Sequence, residues 1–334
     1  MDEKEIEAFN KEAYPKKRNK INTSFLRWKF RIGYNQKVEP VYLKHNNRIV
    51  GQAGLQPIII HNNGKRDIAI WFNNFIILPK MRGKKLGTLL AENWMKLAPL
   101  HITNCNNNSW AIFKKLGWND NFITVRYALP INIKLIAKAK DWTGLKTIAV
   151  KIFSPFYSLI LKVKYSNNIN VEICALNQLS LQNIEKDFRQ NKKNYLLKDA
   201  DWLKWRLLDS HDYKNYYRMK YKENIIYFRI VKTNKYSTID LNRLHILYQS
   251  TNGGKENRIK NFKALISYSI TQNIDLLTAT TNIQKLKKVY SSIFINKLPC
   301  RFAYHSKNSG LMNSINSNPI PLQSIDSDFD LQYF

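Results

Sequence analysis

The apolar and polar positions fall into a regular pattern from Pro40 onward. Pro40 to Lys44 and Ile49 to Leu55 read as short strands around an Asn46 Asn47 turn, and Ile58 to His61 continues until Asn62, Asn63 and Gly64 turn the chain again. That predicts an antiparallel meander. Ala69 to Leu78 is a longer apolar and aromatic strand ended by Pro79, which has no N–H to give a ladder. Leu86, Leu89, Leu90, Trp94 and Leu97 then recur at helical spacing and place one apolar stripe against the sheet. His101 to Cys105 reads as a strand, Ser109 to Leu116 as a helix stopped by Gly117, and Ile123 to Ala128 as a closing strand.

The second half repeats this logic. Tyr216 to Tyr221, Asn224 to Lys232 and Thr238 to Tyr248 predict a meander, and Asn261 to Thr271 predicts a helix. Ile274 to Thr278 (strand), Ile283 to Ser291 (helix) and Cys300 to His305 (strand) follow. Phe25 to Phe30 (FLRWKF) echoes Trp202 to Leu207 (WLKWRL), each ahead of its meander, which points to two copies of one fold. The expected division is a domain over 1–130, a Lys-rich apolar connection over 131–168, and a second domain over 169–334.

With 334 residues and 44% hydrophobic content, the chain has material for two folded domains. The formal charge of +30 favours anionic partners without choosing among them. Long blocks of one sign are absent, Lys16 to Arg18 being the densest cluster near an end, which argues against a dedicated nucleic-acid tail. Cys105, Cys174 and Cys300 are isolated, so neither a disulfide framework nor a zinc site is expected, and a reducing cytoplasm fits. The N-terminus has no apolar run of signal-peptide length. Ile148 to Val163 is interrupted by Lys151 and Pro155 and falls short of the roughly 20 residues of a spanning helix. Lys140, Lys146, Lys162 and Lys164 around it leave two readings open, a buried connector and an interfacial helix on the inner face of an anionic membrane.

The chemistry concentrates between the strand ending at Leu78 and the helix near Leu86. A glycine-bearing turn entering a helix offers unpaired N–H groups and the positive end of the helix dipole to a diphosphate. Gly83 and Gly87 allow close approach, and Arg82, Lys84 and Lys85 add charge. The GxxxxGK[ST] string of a Walker loop is missing.

Proline followed by RGKKLGTLL resembles the coenzyme A pyrophosphate loop of the GNAT superfamily of N-acyltransferases, with Arg82 and Gly87 at the ends of its Arg/Gln-x-x-Gly-x-Gly/Ala pattern. Lys85 stands where that family usually has glycine. Asn106 to Trp118 (NNNSWAIFKKLGW) resembles the family's second cofactor segment. The resemblance implies an α+β fold of two GNAT-like domains, each a mostly antiparallel mixed sheet flanked by helices. It also implies acetyl-coenzyme A or another acyl-coenzyme A as donor and an amine, such as an amino sugar of envelope polysaccharide, as acceptor. In the family's manner, the backbone of Phe75, Ile76 and Ile77 beside a β-bulge would pair with the pantetheine amides. Arg82, Gly83, Lys84, Lys85, Leu86, Gly87 and Thr88 would hold the diphosphate, and Asn106, Ser109 and Phe113 would line the far side.

Phe113 aligns with the family's usual tyrosine acid, so that proton donor is lacking. Asn74 aligns with a frequent acidic residue but is a poor base, and His101 is the other candidate. Trp28, Asp326 and Asp328 are the candidate acceptor contacts, the last two in an acidic ending that resembles tandem acyltransferases of bacterial surface-polysaccharide clusters. The loop Thr251 to Arg258 lacks the spacing, so the second half is expected to be a degenerate partner shaping the acceptor pocket. Two other readings remain: transfer of an aminoacyl group from charged tRNA, and a catalytically inactive binding protein.

Overall fold

The computed structural model describes residues 3–14, 23–31, 38–166, 169–189, 192–233 and 239–326. Helices α1 (Glu3–Ala13) and α2 (Thr23–Lys29) precede a meander of β1 (Val41–His45), β2 (Arg48–Asn62) and β3 (Lys65–Ile77). Its turns are the predicted ones: Asn46 and Asn47 have φ of 50° and 56°, and Asn63 and Gly64 have 46° and 85°, as two-residue hairpins require. Then come α3 (Leu86–Trp94), β4 (Leu100–Cys105), α4 (Asn107–Lys115) and β5 (Asn119–Pro130). Residues 131–168 contain α5 (Ile133–Ala139) and α6 (Leu145–Tyr165), and α6 runs through Pro155 without breaking.

The second half holds β6 (Glu172–Ala175), α7 (Leu181–Phe188), β7 (Asn194–Leu196) and α8 (Ala200–Leu203), which passes into a π turn over Lys204–Leu208. It continues with β8 (Tyr216–Tyr221), β9 (Asn224–Thr233), β10 (Leu241–Gln249), α9 (Lys255–Thr271), β11 (Leu276–Thr281), α10 (Gln284–Ser291), β12 (Asn296–Ser306) and α11 (Ser309–Ser317). The mixed α+β class is as expected.

All the strands share one sheet in the order β1-β2-β3-β4-β12-β5-β11-β10-β9-β8-β6, with β7 on β2. The order mirrors itself about its middle. Parallel β3 and β4 correspond to parallel β10 and β11. The antiparallel pair β4 and β12 corresponds to β11 and β5. At the centre β5 and β12 pair antiparallel. The last strand of each half therefore completes the sheet of the other, and the boundaries at 130 and 168 mark no break in the sheet.

The echoed segments meet across this symmetry. Trp28 Nε1 donates to the Trp205 carbonyl at 2.9 Å, and Trp205 Nε1 donates to the Trp28 carbonyl at 2.6 Å. Both rings belong to one core with Phe25, Trp202, Phe302 and Tyr304 on a single sheet face. The other face carries one core beneath α3 and α4 and another beneath α9 and α10.

Residues 320–326 are threaded into the second half and anchored by a buried ion pair, Lys198 Nζ to Asp326 Oδ1 at 2.6 Å. Removing one partner of such a pair strands the other charge, at about 3–5 kcal/mol. Lys198→Ala should lower unfolding stability in urea by that amount, while Lys44→Ala, which breaks the exposed pair with Glu5, should cost less than about 1 kcal/mol. Equal effects would contradict the anchoring role.

Candidate functional site

The site begins with one surplus residue in β3. Gly51, Gln52 and Gly54 of β2 face Ile77, Ile76 and Asn73, so two steps on one strand oppose three on the other. Asn74 is in this bulge with φ of 52°, a conformation asparagine tolerates better than most residues. Pairing of β3 with β4 stops at Phe72 and Thr103, and Asn104 and Cys105 turn to β12. Phe75, Ile76 and Ile77 therefore run beside an opening between strands that were neighbours a few residues earlier. Aromatic rings floor it: Phe75 lies 5.2 Å from Phe72 and 5.6 Å from Phe113, centroid to centroid.

The loop after β3 is tied to that strand, because Arg82 Nε donates to the Ile77 carbonyl at 3.2 Å. Gly83 has φ of 81° with open space where a Cβ would stand. Lys85, in the usual glycine position, adopts glycine's conformation, with φ 58° and ψ 9°, directly before α3. The carbonyl of Lys85 accepts from Thr88 and Leu89. The N–H groups of Gly83, Lys84, Lys85, Leu86 and Gly87 find no acceptor among the described residues. At Gly87 a Cβ would meet Ile112 Cδ1 at 3.0 Å, so glycine lets α3 lie close against α4. The result is an exposed row of donors and cations at the mouth of the opening.

The far wall is α4. Asn106 caps it, its Oδ1 accepting from Ser109 N at 3.0 Å, and Ser109 Oγ donates to the Asn106 carbonyl at 3.2 Å. Arg301 of β12 holds this wall from the other half of the chain. It donates to Asn107 Oδ1 at 3.1 Å and to Asp120 Oδ2 at 2.9 Å, with its guanidinium 5.0 Å from the Trp110 ring centre. No motif marks Arg301; only the exchange of strands brings it here.

On the opposite sheet face the bulge carries a polar network that sequence reasoning missed. Lys29 Nζ donates to Asn74 Oδ1 at 2.6 Å, and Asn74 Nδ2 donates to the Tyr14 hydroxyl at 3.0 Å. Asn73 Nδ2 donates to Gln56 Oε1 at 2.7 Å, and Gln56 Nε2 to the Lys29 carbonyl at 2.5 Å. Gln52 alternates with Gly54 and Gln56 along β2 and shares their face. Its side chain is fully buried, and neither amide atom finds a partner among the described residues. Nothing in the periodicity of α1 and α2 signals these contacts.

Several candidate side chains have other surroundings. His101 is buried between the rings of Trp94 and Trp118, and burial lowers its pKa to about 4, with His305 adding to the effect. It is a neutral core residue rather than a base at the site. Phe113 is buried in the floor, where its ring edge meets Phe72. Trp28 is consumed by the tryptophan pair, and Asp326 by Lys198 and by the Gln323 N–H, which it accepts at 2.8 Å. Neither is offered to an acceptor. Asp328 lies outside the described residues.

In the second half the corresponding opening is filled. Pairing of β10 with β11 ends at Ile246 and Ala279, and Gln323 bonds Gln249 there in both directions, at 2.7 and 3.1 Å. The loop before α9 turns its carbonyls inward, Thr251 and Gly253 both accepting from Arg258 Nη1. A cavity of about 580 Å³ lined by Arg126, Lys140, Trp142, Arg243 and Leu298 shares no residue with the loop over 79–88.

No family model matches the sequence, and no curated protein matches it. Solved structures do match. A GCN5-related N-acetyltransferase from Anabaena variabilis has a TM-score of 0.57 at 11% identity, over 91% of this chain and 70% of that one. Saccharomyces cerevisiae N-myristoyltransferase with bound myristoyl-CoA gives 0.60 at 12% identity, over 91% and 76%. A probable N-acyltransferase from Enterococcus faecalis gives 0.55 at 11% identity, over 91% and 69%. At such identities the likeness is one of fold: this chain has the GNAT fold those proteins share.

Two outcomes test the local geometry. Lys85→Gly relieves a left-handed lysine and should raise stability by roughly 1 kcal/mol in thermal unfolding, whereas a loss would contradict the conformation. The folded protein resists a proton on His101 that the unfolded chain accepts near pH 6.5, so stability must fall as pH drops from 6.5 towards 4. Between pH 7.5 and pH 5 the wild type should lose about 2 kcal/mol more than His101→Phe in urea unfolding.

Proposed function

We propose that the chain is an N-acyltransferase that takes its acyl group from acyl-coenzyme A, acetyl-coenzyme A first among donors, and passes it directly to an amine in a ternary complex. The observation that carries this reading is the row of unpaired N–H groups over 83–87, placed where β3 and β4 part. Five free donors and the N-terminal end of α3 suit a diphosphate, and Arg82, Lys84 and Lys85 add charge around it. The unpaired side of Phe75–Ile77 suits the amides of a pantetheine arm, as a sheet edge suits an added strand. When bound, coenzyme A supplies a thiol leaving group that departs without help from a strong acid. The absence of a hydroxyl at Phe113 is then tolerable.

The polar network on the α1 and α2 side supports entry of the amine from that side. Gln52, Asn73, Asn74 and Tyr14 suit a hydroxyl-bearing amine, and an amino sugar is the acceptor class in view. Asn74 cannot take a proton from an ammonium; held by Lys29 and Tyr14, it positions the nucleophile. The amine must arrive unprotonated or lose its proton to water, so kcat/KM for the acceptor should rise with pH towards the acceptor's own pKa. The second half contributes framework and no second cofactor site, in keeping with a tandem arrangement of two such units.

The test is release of free thiol when purified protein meets acyl-coenzyme A donors from acetyl to long chain and a panel of amines that includes amino sugars. Turnover is expected, with Arg82→Ala lowering kcat/KM for the donor about tenfold or more, the equivalent of a charged hydrogen bond of about 1.5–3 kcal/mol. Turnover unchanged in Arg82→Ala, or no donor bound at low salt, would overturn the reading.

A further inference from the structure

Helix α6 presents its most apolar side to solvent. Ile148, Ile152, Phe153, Phe156, Leu159 and Val163 are each between 55% and 70% exposed. Their spacing of three and four residues makes a stripe the length of the helix. The side turned towards the protein carries Thr147, Val150, Ser154, Tyr157, Leu161 and Tyr165 and is still the more polar of the two. Tyr157 donates to the Pro130 carbonyl at 2.5 Å and fixes that orientation. A helix that hides all of its hydroxyls except that of Ser158 and shows its phenylalanines inverts the usual order of a water-facing helix.

The charges complete the pattern. Lys146 and Lys164 flank the stripe along one border, and Lys151 and Lys162 along the other, as helical spacing of 100° per residue sets them. The helix contains no carboxylate. Trp142, exposed just before the helix, lies beneath Lys140 with its ring centre 5.9 Å from Nζ. Lysines with long stems beside an apolar stripe keep their charge in a layer of anionic headgroups while the stripe enters the acyl boundary, and tryptophan favours that same depth. Among the described residues no helix is long and apolar enough to cross a membrane, so the mode of contact is one of lying in the plane.

We infer that α6 is a membrane-docking helix that rests in the interface of an anionic lipid bilayer. The occupant is a lipid surface because the apolar stripe is bordered by cations alone and the whole chain carries +30; each lysine near such a surface adds attraction. A protein partner for this stripe would need carboxylates on both borders.

The experiment is co-sedimentation of the full chain with vesicles of phosphatidylcholine alone or with phosphatidylglycerol added, without acyl-coenzyme A, and light scattering of the free protein. Wild type should bind the phosphatidylglycerol vesicles at least tenfold more tightly than the neutral ones. The double variant Phe153→Glu, Phe156→Glu should lose at least tenfold of that binding. A second variant, with Lys146, Lys151, Lys162 and Lys164 all changed to Gln, should lose the preference for anionic lipid while keeping the helical circular dichroism. Turnover of a soluble amine should be unchanged in both, so loss of docking and failure of the acyltransferase reading are separate results. Wild type left in the supernatant, or variants that bind as wild type does, would overturn the inference. So would a wild-type dimer that the glutamate variant turns into monomer without any vesicle binding.

Discussion

The antiparallel pairing of β5 with β12 is the joint on which the molecule depends. Because each of these strands ends one half of the chain and lies in the sheet of the other half, neither half has a complete sheet alone. The pseudo-twofold arrangement around that joint brings Trp28 and Trp205 together in reciprocal hydrogen bonds on one face. It also brings Arg301 to the wall of an opening built from residues nearly 200 positions earlier. An opening that looks local in sequence, from Asn74 to Phe113, is thus held in shape from the far end of the chain.

Symmetry of frame does not mean symmetry of use. Both halves part a parallel strand pair next to a bulge and both leave N–H groups unpaired among the described residues where the next helix begins, over 83–87 and over 254–257, but only in the first half is the strand gap left open. In the second, Gln323 and Ser324 satisfy the freed backbone, Ser324 Oγ accepting from Thr280 N at 3.0 Å. The strand edge freed in the second half is thus paired by the chain itself, and the edge freed in the first half is not.

Local elements were legible because they rest on spacing and turn chemistry within a few residues. Asn46 with Asn47, Asn63 with Gly64, Pro79 after β3 and the leucine stripe of α3 all fold as their sequence predicts. The turn from Arg82 into α3 also folds as its sequence predicts, with Lys85 in a conformation that glycine usually takes. The FLRWKF and WLKWRL echo was visible, but not that its tryptophans face each other, which left Trp28 looking available for an acceptor. Hydrophobic pattern cannot say which strand lies beside β4, so the interleaving of β12 and the burial of Asp326 had no local signal. His101 on a mixed strand reads the same whether it faces a cleft or two indoles. The polar cluster of Lys29, Asn74 and Tyr14 was hidden for the same reason, being assembled from three separate elements.

Hydrogen exchange of backbone amides with and without coenzyme A distinguishes an open cradle in the first half from a self-filled one in the second. New protection is expected over 75–77 and 83–88 on adding coenzyme A, and none over 249–258. Protection over 249–258, or no change over 83–88 at saturating coenzyme A, would contradict this arrangement.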